Sequence, residues 1–546
     1  MKKMIMAIAV CAIVAFGGEH IQSGVQTQDE RDLRRAVPWE EYWKLENRVL
    51  PGTDPMECIT LAGKRQLFID NVVIEYLSDL KRKIHEPTKY EGNPVLRADK
   101  PWETEIYFCN VVWDVEEHIF KAWYQCQVGG REALSYAVAR DGIHWEKPSL
   151  GIIEFAGSKE NNLVLPPGRI GSPTVIKDVM ETDPSRRYKY FAMHDKPVFG
   201  MYVGFSPDGI HWTIRDQPVL SAKDDPALND RPNMMQDVDK RRFIAFTKRE
   251  INTPFGRGDV GMIYRCRAVS ISKDFESWTK PVPAIYPDDK DPEGLQIYGL
   301  VGFTYEGRYL GLMDMYWSSI FGQKDLTVTI QLAVSLDGEG WWRAGNRDTF
   351  LPLGAEGSWD RFRVHPANTP PILRGDEIWI YYRGAGNRRH APSTIPPQRR
   401  REPWLAPGHR DDPPLAPGVP GTGMGLARLR RDGFVSIDAG PRPGMLLTKP
   451  LLFDGDDLHV NVNAGQGRLR AELLHVESVQ HNYPAFNWAI QDPVPGFGLD
   501  DCVPLKEDTT DGVIRWKGGN IGQFGSKRVV IRFELVQGSL YSFWVK

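Results

Sequence analysis

Short stretches in which apolar and polar positions alternate recur along the chain, and each predicts a β-strand. Leu134-Ser-Tyr-Ala-Val138 and Gln331-Leu-Ala-Val-Ser335 are two of them. Such strands run into one repeated phrase: Ala139-Arg-Asp-Gly-Ile-His-Trp145, Ser206-Pro-Asp-Gly-Ile-His-Trp212, Ser272-Lys-Asp-Phe-Glu-Ser-Trp278 and Ser335-Leu-Asp-Gly-Glu-Gly-Trp341. Asp hydrogen-bonds its own backbone, Gly accepts a positive φ, and a Trp a few residues on packs back over the turn. The phrase therefore reads as a hairpin clasp between outer strands and not as a reactive motif. The four tryptophans lie 67, 66 and 63 residues apart. A period of that length fits one four-stranded blade per repeat and predicts a β-propeller.

The clasps fix the blade boundaries. The first blade holds Tyr107–Trp113 and Ile119–Tyr124; the second begins near Ser172, the third near Arg231, the fourth near Gln296 and the fifth near His365. The fifth continues through Glu377–Tyr382 and Gly425–Leu429 to a degenerate clasp, Arg431-Asp-Gly-Phe434. Five blades are expected over residues 64–439, with Gln66–Glu75 joining the last blade to close the ring and remove exposed edges. Two Pro-Pro pairs and Arg399-Arg-Arg401 exclude a regular strand between Arg388 and Pro420 and predict a mobile loop there, over 388–420. From Met445 onward short strands with turns, among them Leu458–Val462, Leu469–Leu474, Val529–Phe533 and Leu540–Trp544, predict a separate unit over residues 440–546. The expected fold class is all-β, a five-bladed β-propeller followed by a C-terminal β-sandwich.

Composition agrees with packed cores: of 546 residues 41% are hydrophobic and 11% aromatic, enough for two or three domains. A net charge of −3 without a basic stripe interleaved with aromatics argues against a nucleic-acid partner. Met1-Lys-Lys, an apolar run from Met4 to Phe16 and then Gly17-Gly18 read as a secretory signal over residues 1–20. The run is too short to span a bilayer comfortably, so a secreted or periplasmic protein without stable membrane insertion is expected. Residues 21–63, with Trp39 and Trp43, form an N-terminal extension. Cys58, Cys109, Cys126, Cys266 and Cys502 lack any Cys-x-x-Cys spacing, which argues against a zinc site and a disulfide scaffold. Cys109 and Cys126, on consecutive strands, are either one bridge or two buried thiols. No phosphate loop, nicotinamide fingerprint or histidine cluster is present, so neither a cofactor nor a metal site is expected.

In a propeller the innermost strand of each blade lines a central funnel, and functional groups sit at the start of those strands. This directs attention to Trp102, Glu103 and Glu105 in the first blade, Asp230, Arg231 and Asn233 in the third, Glu293 and Tyr298 in the fourth, and Trp359, Asp360 and His365 in the fifth. Cleavage of a glycosidic bond needs one protonated and one ionised carboxylate across it. Glu105 and Asp230 are the expected pair, with Asp360 a third catalytic candidate. Trp102, Tyr298 and Trp359 offer flat faces on which sugar rings stack, and Arg231 or His365 can bind hydroxyls or tune a carboxylate. Glu103, Asn233 and Glu293 complete the substrate-binding candidates.

Leu67-Phe-Ile-Asp70, Asn93-Pro-Val-Leu96, Pro101-Trp-Glu103, the clasped blades and the trailing strands together resemble the glycoside hydrolase family 32-like propeller proteins, a superfamily with families 43, 68 and 130. The resemblance implies a five-bladed propeller with a carboxylate-lined funnel, whose acids come from the inner strands of the first three blades. It implies an exo-acting hydrolase of oligo- or polysaccharides, with Glu105 near the first-blade acid and Asp230 near the general acid. The second blade departs from the pattern, reading Gly171-Ser172-Pro173 where Arg-Asp-Pro is expected, with Asp178 at the far end of the strand. The Trp-Met-Asn-Asp-Pro-Asn-Gly signature of fructan hydrolases is absent. A carbohydrate-binding propeller without catalysis is the alternative. A sialidase-like hydrolase would need six blades and an arginine triad, against which the count of five argues.

Overall fold

The computed structural model describes residues 36–37, 58–195, 197–229, 231–252, 263–292, 295–317, 327–387, 415–478, 488–525 and 527–546. The signal expected over residues 1–20 and the greater part of the loop expected over 388–420 lie outside these. Almost every element is a β-strand, and the strands form several discrete sheets. Among the described residues no helix is long and apolar enough to cross a membrane.

The first sheet is an antiparallel run of Ile106–Asp114, Ile119–Val128, Arg131–Ala139 and Leu163–Gly168. The second begins with Ile170–Lys177, Tyr188–His194 and Gly200–Ser206. The third runs through Asn233–Asp237, Arg242–Asn252, Ile263–Ser272 and Val282–Ile285. Leu295–Tyr305, Arg308–Trp317 and Val328–Ser335 form a fourth group, and Arg363–Pro366, Glu377–Ala385 and Thr422–Arg430 a fifth. A parallel contact of Val328 with Arg363 joins these last two groups into one eleven-stranded sheet. Middle strands such as Ile119–Val128 are buried on both faces, because sheet packs on sheet. Trp123 and Tyr124, neighbours pointing to opposite faces, are both fully buried.

The clasps are built as their chemistry predicts. Asp208 Oδ1 accepts the backbone N–H groups of Ile210 and His211 at 2.8 Å each, and Asp141, Asp274 and Asp337 repeat the arrangement. The indole N–H groups of Trp212, Trp278 and Trp341 return to the carbonyls of Gly209, Phe275 and Gly338 at 2.9, 3.1 and 3.0 Å. The first clasp differs: the Gly142 carbonyl accepts the Tyr381 hydroxyl at 2.8 Å instead.

Each clasp also seats on the sheet before it. Gly209 of the second accepts the Trp123 indole of the first sheet at 2.6 Å. Phe275 of the third meets Phe205 of the second sheet at 5.9 Å between ring centres, and Trp341 of the fourth meets Phe246 of the third at 5.5 Å. Phe434 of the degenerate fifth clasp packs on Tyr305 of the fourth group at 5.6 Å, and the first clasp, through Tyr381, seats on the fifth.

Two further sheets hold the C-terminal strands, packed through a shared core that includes Phe68, Val460, Phe533 and Phe543. Their composition corrects the boundaries expected from sequence. Ile59–Leu61 and Ile74–Ser78 pair with Leu451–Phe453 and Gly444–Thr448 in one sheet, while Gln66–Leu67 and Leu80–Ile84 join Gly538–Val545 and Val435–Ala439 in the other. Gln66–Glu75 therefore does not close the fifth group. That edge is taken by Thr88–Lys89 and Leu96–Arg97, which pair with Thr422–Arg430. Cys58, Cys109, Cys126, Cys266 and Cys502 are free thiols.

Candidate functional site

The first strands of the sheets converge on a floor of buried polar side chains. Asn110 donates Nδ2 to the Pro173 carbonyl at 3.0 Å and accepts the Val175 N–H at 3.0 Å, tying the first sheet to the second. Asn233 donates to Thr174 Oγ1 at 3.1 Å and to the Asn368 carbonyl at 3.0 Å, bringing in the third sheet and the fifth group. The Asn368 N–H closes the set on the Cys109 carbonyl at 2.7 Å. Amides suit this position because each supplies both donors and an acceptor to strand ends that no ladder satisfies.

Beside this floor opens a cavity of about 350 Å³, walled by the first, second, fourth and fifth groups and by the segment around residues 229–231. Tyr107, Phe108, Tyr298 and Tyr316 give it aromatic faces, and Gln125, Gln127 and Asn229 give it amides. Its charged lining is Arg169, Arg231, Arg363 and Arg383 against one carboxylate among the described residues, Glu132.

Arg231 is the centre of the wall. Its Nε donates to Asp314 Oδ2 at 2.6 Å, its Nη1 to Ser172 Oγ at 3.0 Å and to Asn368 Oδ1, and its Nη2 to the Pro366 carbonyl at 3.3 Å. The guanidinium lies 4.2 Å from the centre of the Phe108 ring, a cation–π distance. Both Arg231 (φ 63°) and Ser172 (φ 48°) hold a left-handed backbone that costs a side-chain-bearing residue energy, so their contact rests on local strain of the sort that collects at functional sites. Gly299 makes room for the pair: a Cβ there would meet Asp314 Oδ2 at 2.3 Å and Arg231 Cγ at 2.9 Å.

Burial alone would raise the Asp314 carboxyl, but Arg231 and then His365 hold it down at about 2. His365 Nδ1 lies 3.2 Å from Asp314 Oδ2, yet burial outweighs that attraction and pushes the imidazole down to about 4. At neutral pH Asp314 is thus an ionised partner of Arg231 that has no proton to donate, and His365 is neutral. Among the described residues no three His, Cys, Asp or Glu side chains come together to hold a metal ion.

Of the residues singled out from sequence, the structure brings Arg231, Tyr298 and His365 to the cavity and puts Asn233 in its floor. Glu105 is half-buried just before Ile106–Asp114 and outside the described lining. Glu103 is buried, accepting the Tyr124 hydroxyl at 2.5 Å and Lys147 at 2.6 Å, and Trp102 donates its indole N–H to Asn162 at 3.1 Å. Asp360 is held by Lys89 at 2.7 Å and the Tyr382 hydroxyl at 3.0 Å, while Trp359 stacks on Tyr382 with ring centres 5.7 Å apart. Asp230 and Glu293 lie outside the described residues. Asp178 is buried beside Lys189 at 3.3 Å, remote from the cavity lining.

Sequence reasoning missed Arg169, Arg363, Arg383, Asp314 and Gln125. Arg363 was within reach of it, since residues two apart on a strand share a face and His365 was already chosen. Arg383 sits directly across from His365 in the ladder, a pairing that only the fold reveals.

No family model matches the sequence, and no curated protein does. Among solved structures the chain is similar to an N-acetylgalactosamine deacetylase from F. plautii in complex with blood group B trisaccharide, with 15% identity over 65% of this chain and 97% of that one and a TM-score of 0.42. It is similar to a glycosyl hydrolase from Bacteroides ovatus, with 11% identity over 64% and 94% of the two chains and a TM-score of 0.41. It is also similar to a β-1,2-mannobiose phosphorylase from Listeria innocua in its β-1,2-mannobiose complex, with 9% identity over 64% and 97% and a TM-score of 0.42.

Proposed function

We propose that this chain is a secreted or periplasmic five-bladed propeller with a C-terminal β-sandwich, and that its central cavity takes the terminal sugar of an oligo- or polysaccharide and hydrolyses its glycosidic bond. The propeller reading is supported by the seating of each clasp on the preceding sheet and of the first on the fifth. The sugar reading is carried by the cavity lining, which combines the rings of Tyr298, Tyr316 and Phe108 with Gln125, Gln127, Asn229 and guanidinium groups. Flat apolar faces beside planar donors are what a pyranose, apolar on its ring faces and hydroxylated at its edge, requires.

Hydrolysis asks for two carboxylates, and Asp314 is committed to Arg231. Asp230, which in sequence falls between the lining residues Asn229 and Arg231, is the proposed general acid. Glu105 and Glu132 are candidates for nucleophile or base. Sugar release from a panel of oligosaccharides by wild-type protein and by Asp230→Asn, Glu105→Gln and Glu132→Gln tests this. Asp230→Asn and one of the two glutamate variants are expected to lose about 100-fold or more in kcat while still binding oligosaccharide. The single lining carboxylate among the described residues favours the second reading, a binding propeller without catalysis. Binding of oligosaccharide with no sugar released by any preparation would establish that reading instead.

A further inference from the structure

We propose that His365 presents Nε2 to the cavity as a fixed hydrogen-bond acceptor, and that the site therefore selects a sugar with a free, unsubstituted hydroxyl at that point; this rests on the sugar reading above. The imidazole lines the cavity between two of its aromatic faces, with ring centres 5.5 Å from Phe108 and 6.0 Å from Tyr298. Its Nδ1 is sealed from solvent, 3.2 Å from Asp314 Oδ2. Among the described residues Nε2 has no hydrogen-bond partner and is not sealed in this way, so it opens on the cavity.

Asp314 decides which nitrogen carries the hydrogen. An ionised carboxylate only accepts, so the single hydrogen of a neutral imidazole sits on Nδ1 and Nε2 keeps its lone pair. Burial, with Arg383 and Arg231 nearby, keeps a second proton off the ring at pH 7 against the pull of Asp314. Arg231 in turn fixes Asp314 through its Nε at 2.6 Å, which holds the arrangement in place. The rest of the polar lining leans the other way. Arginine donates and does not accept, and Gln125 Oε1 is taken by the Ser172 N–H at 3.1 Å, which leaves its amide hydrogens for the cavity. A sugar hydroxyl brings one hydrogen and two lone pairs. The donors of the lining answer the lone pairs, and His365 answers the hydrogen. A deoxy, O-alkylated or O-acylated position has no such hydrogen, and Nε2 would then be covered without a partner.

The test starts with calorimetric titration of the full chain with thio-linked disaccharides, which resist hydrolysis, ending in glucose, galactose, mannose, xylose, arabinose or fucose. Monodeoxyfluoro derivatives of the tightest-binding member are then titrated, one terminal-ring position at a time, because fluorine replaces a hydroxyl at similar size but cannot donate. One position is expected to lose about 10-fold in affinity in wild-type protein and less than about 2-fold in His365→Phe, which keeps a ring between Phe108 and Tyr298 without its nitrogens. His365→Gln, whose amide oxygen reaches the place of Nε2, is expected to restore part of that penalty. In crystals of wild-type protein with the same disaccharide, the hydroxyl oxygen of that position is expected about 2.7–3.1 Å from His365 Nε2, a measurement that needs no variant to fold. No penalty at any position, a penalty of equal size in His365→Phe, or a complex in which Nε2 meets no hydroxyl overturns the acceptor inference and leaves the sugar reading standing. Binding of none of the disaccharides overturns the sugar reading itself.

Discussion

His365 shows how a buried side chain sets a pH response at the scale of one residue. In the folded chain its imidazole titrates at about 4, against about 6.5 when exposed. Between these values the unfolded chain takes up a proton that the folded chain does not. Stability therefore rises with pH through this window, and is lost as pH falls from 6.5 towards 4. His194, also pushed down to about 4 by burial, acts in the same direction. Asp314 acts in a lower window: its folded carboxyl is depressed to about 2, so its contribution is whole above about 4 and disappears on acidification below that. Urea unfolding at pH 7.0 and pH 4.5 separates the effects. The loss of stability between the two pH values is expected to be smaller in His365→Gln than in wild-type by about 1–3 kcal/mol. An unchanged difference would mean that His365 is protonated in the folded state. Of this residue, sequence revealed the position in the first strand of its group but not the partner. Asp314 is 51 residues away in the chain, at a strand position that carries no local signal.

Among the elements, the clasps were the most legible feature, because Asx-turn chemistry is local and needs only the residues of the turn itself. Their boundaries placed Ile106–Asp114, Ile170–Lys177, Asn233–Asp237, Leu295–Tyr305 and Arg363–Pro366 close to where the structure has them. The fifth clasp read as a decayed copy, and the structure gives a different reason for its divergence. Asp432 has exchanged its own turn for a junction: it accepts Arg65 at 2.8 Å, the Tyr305 hydroxyl at 2.7 Å, Ser542 at 2.6 Å and Asn461 at 3.1 Å. Arg65, in turn, lies 3.5 Å over the Trp544 ring. The two kinds of aspartate should differ in what their loss costs. Asp208→Ala removes the side-chain acceptor of two backbone N–H groups in a surface turn and is expected to cost about 1–2 kcal/mol. Asp432→Ala leaves a buried guanidinium without its carboxylate and is expected to cost about 3–5 kcal/mol. Equilibrium unfolding of the two variants tests the order, and a reversed or equal ranking would remove Asp432 from the junction's stability.

The junction bears on the whole molecule, where pairing between distant parts of the chain decides what sequence periodicity cannot. Alternation marks a strand but not its neighbour, and so Gln66–Glu75 was assigned to the last blade although its pairing residues belong to the C-terminal sheets. Four N-terminal strands, Ile59–Leu61, Gln66–Leu67, Ile74–Ser78 and Leu80–Ile84, are laid into sheets whose other members lie beyond residue 434. The C-terminal unit is thus assembled from both ends of the described chain, and cutting at residue 440 does not follow a boundary of the fold. Removing residues 440–546 takes away the partners of Phe68, Val73 and Ile74 in their core, opens the ladders of Ile59–Leu61, Gln66–Leu67 and Ile74–Ser78, and strips Asp432 of Ser542 and Asn461. Exposed strand edges beside an opened apolar core favour association over folding. A chain ending at residue 439 is therefore expected to be insoluble or to melt without cooperativity, whereas a true appendage would leave a soluble remainder with a sharp thermal transition. Expression of that truncation beside the full chain, followed by circular dichroism melting of the soluble fraction, decides between them. A soluble, cooperatively melting fragment would mean that the N-terminal strands can dispense with the sheets they complete.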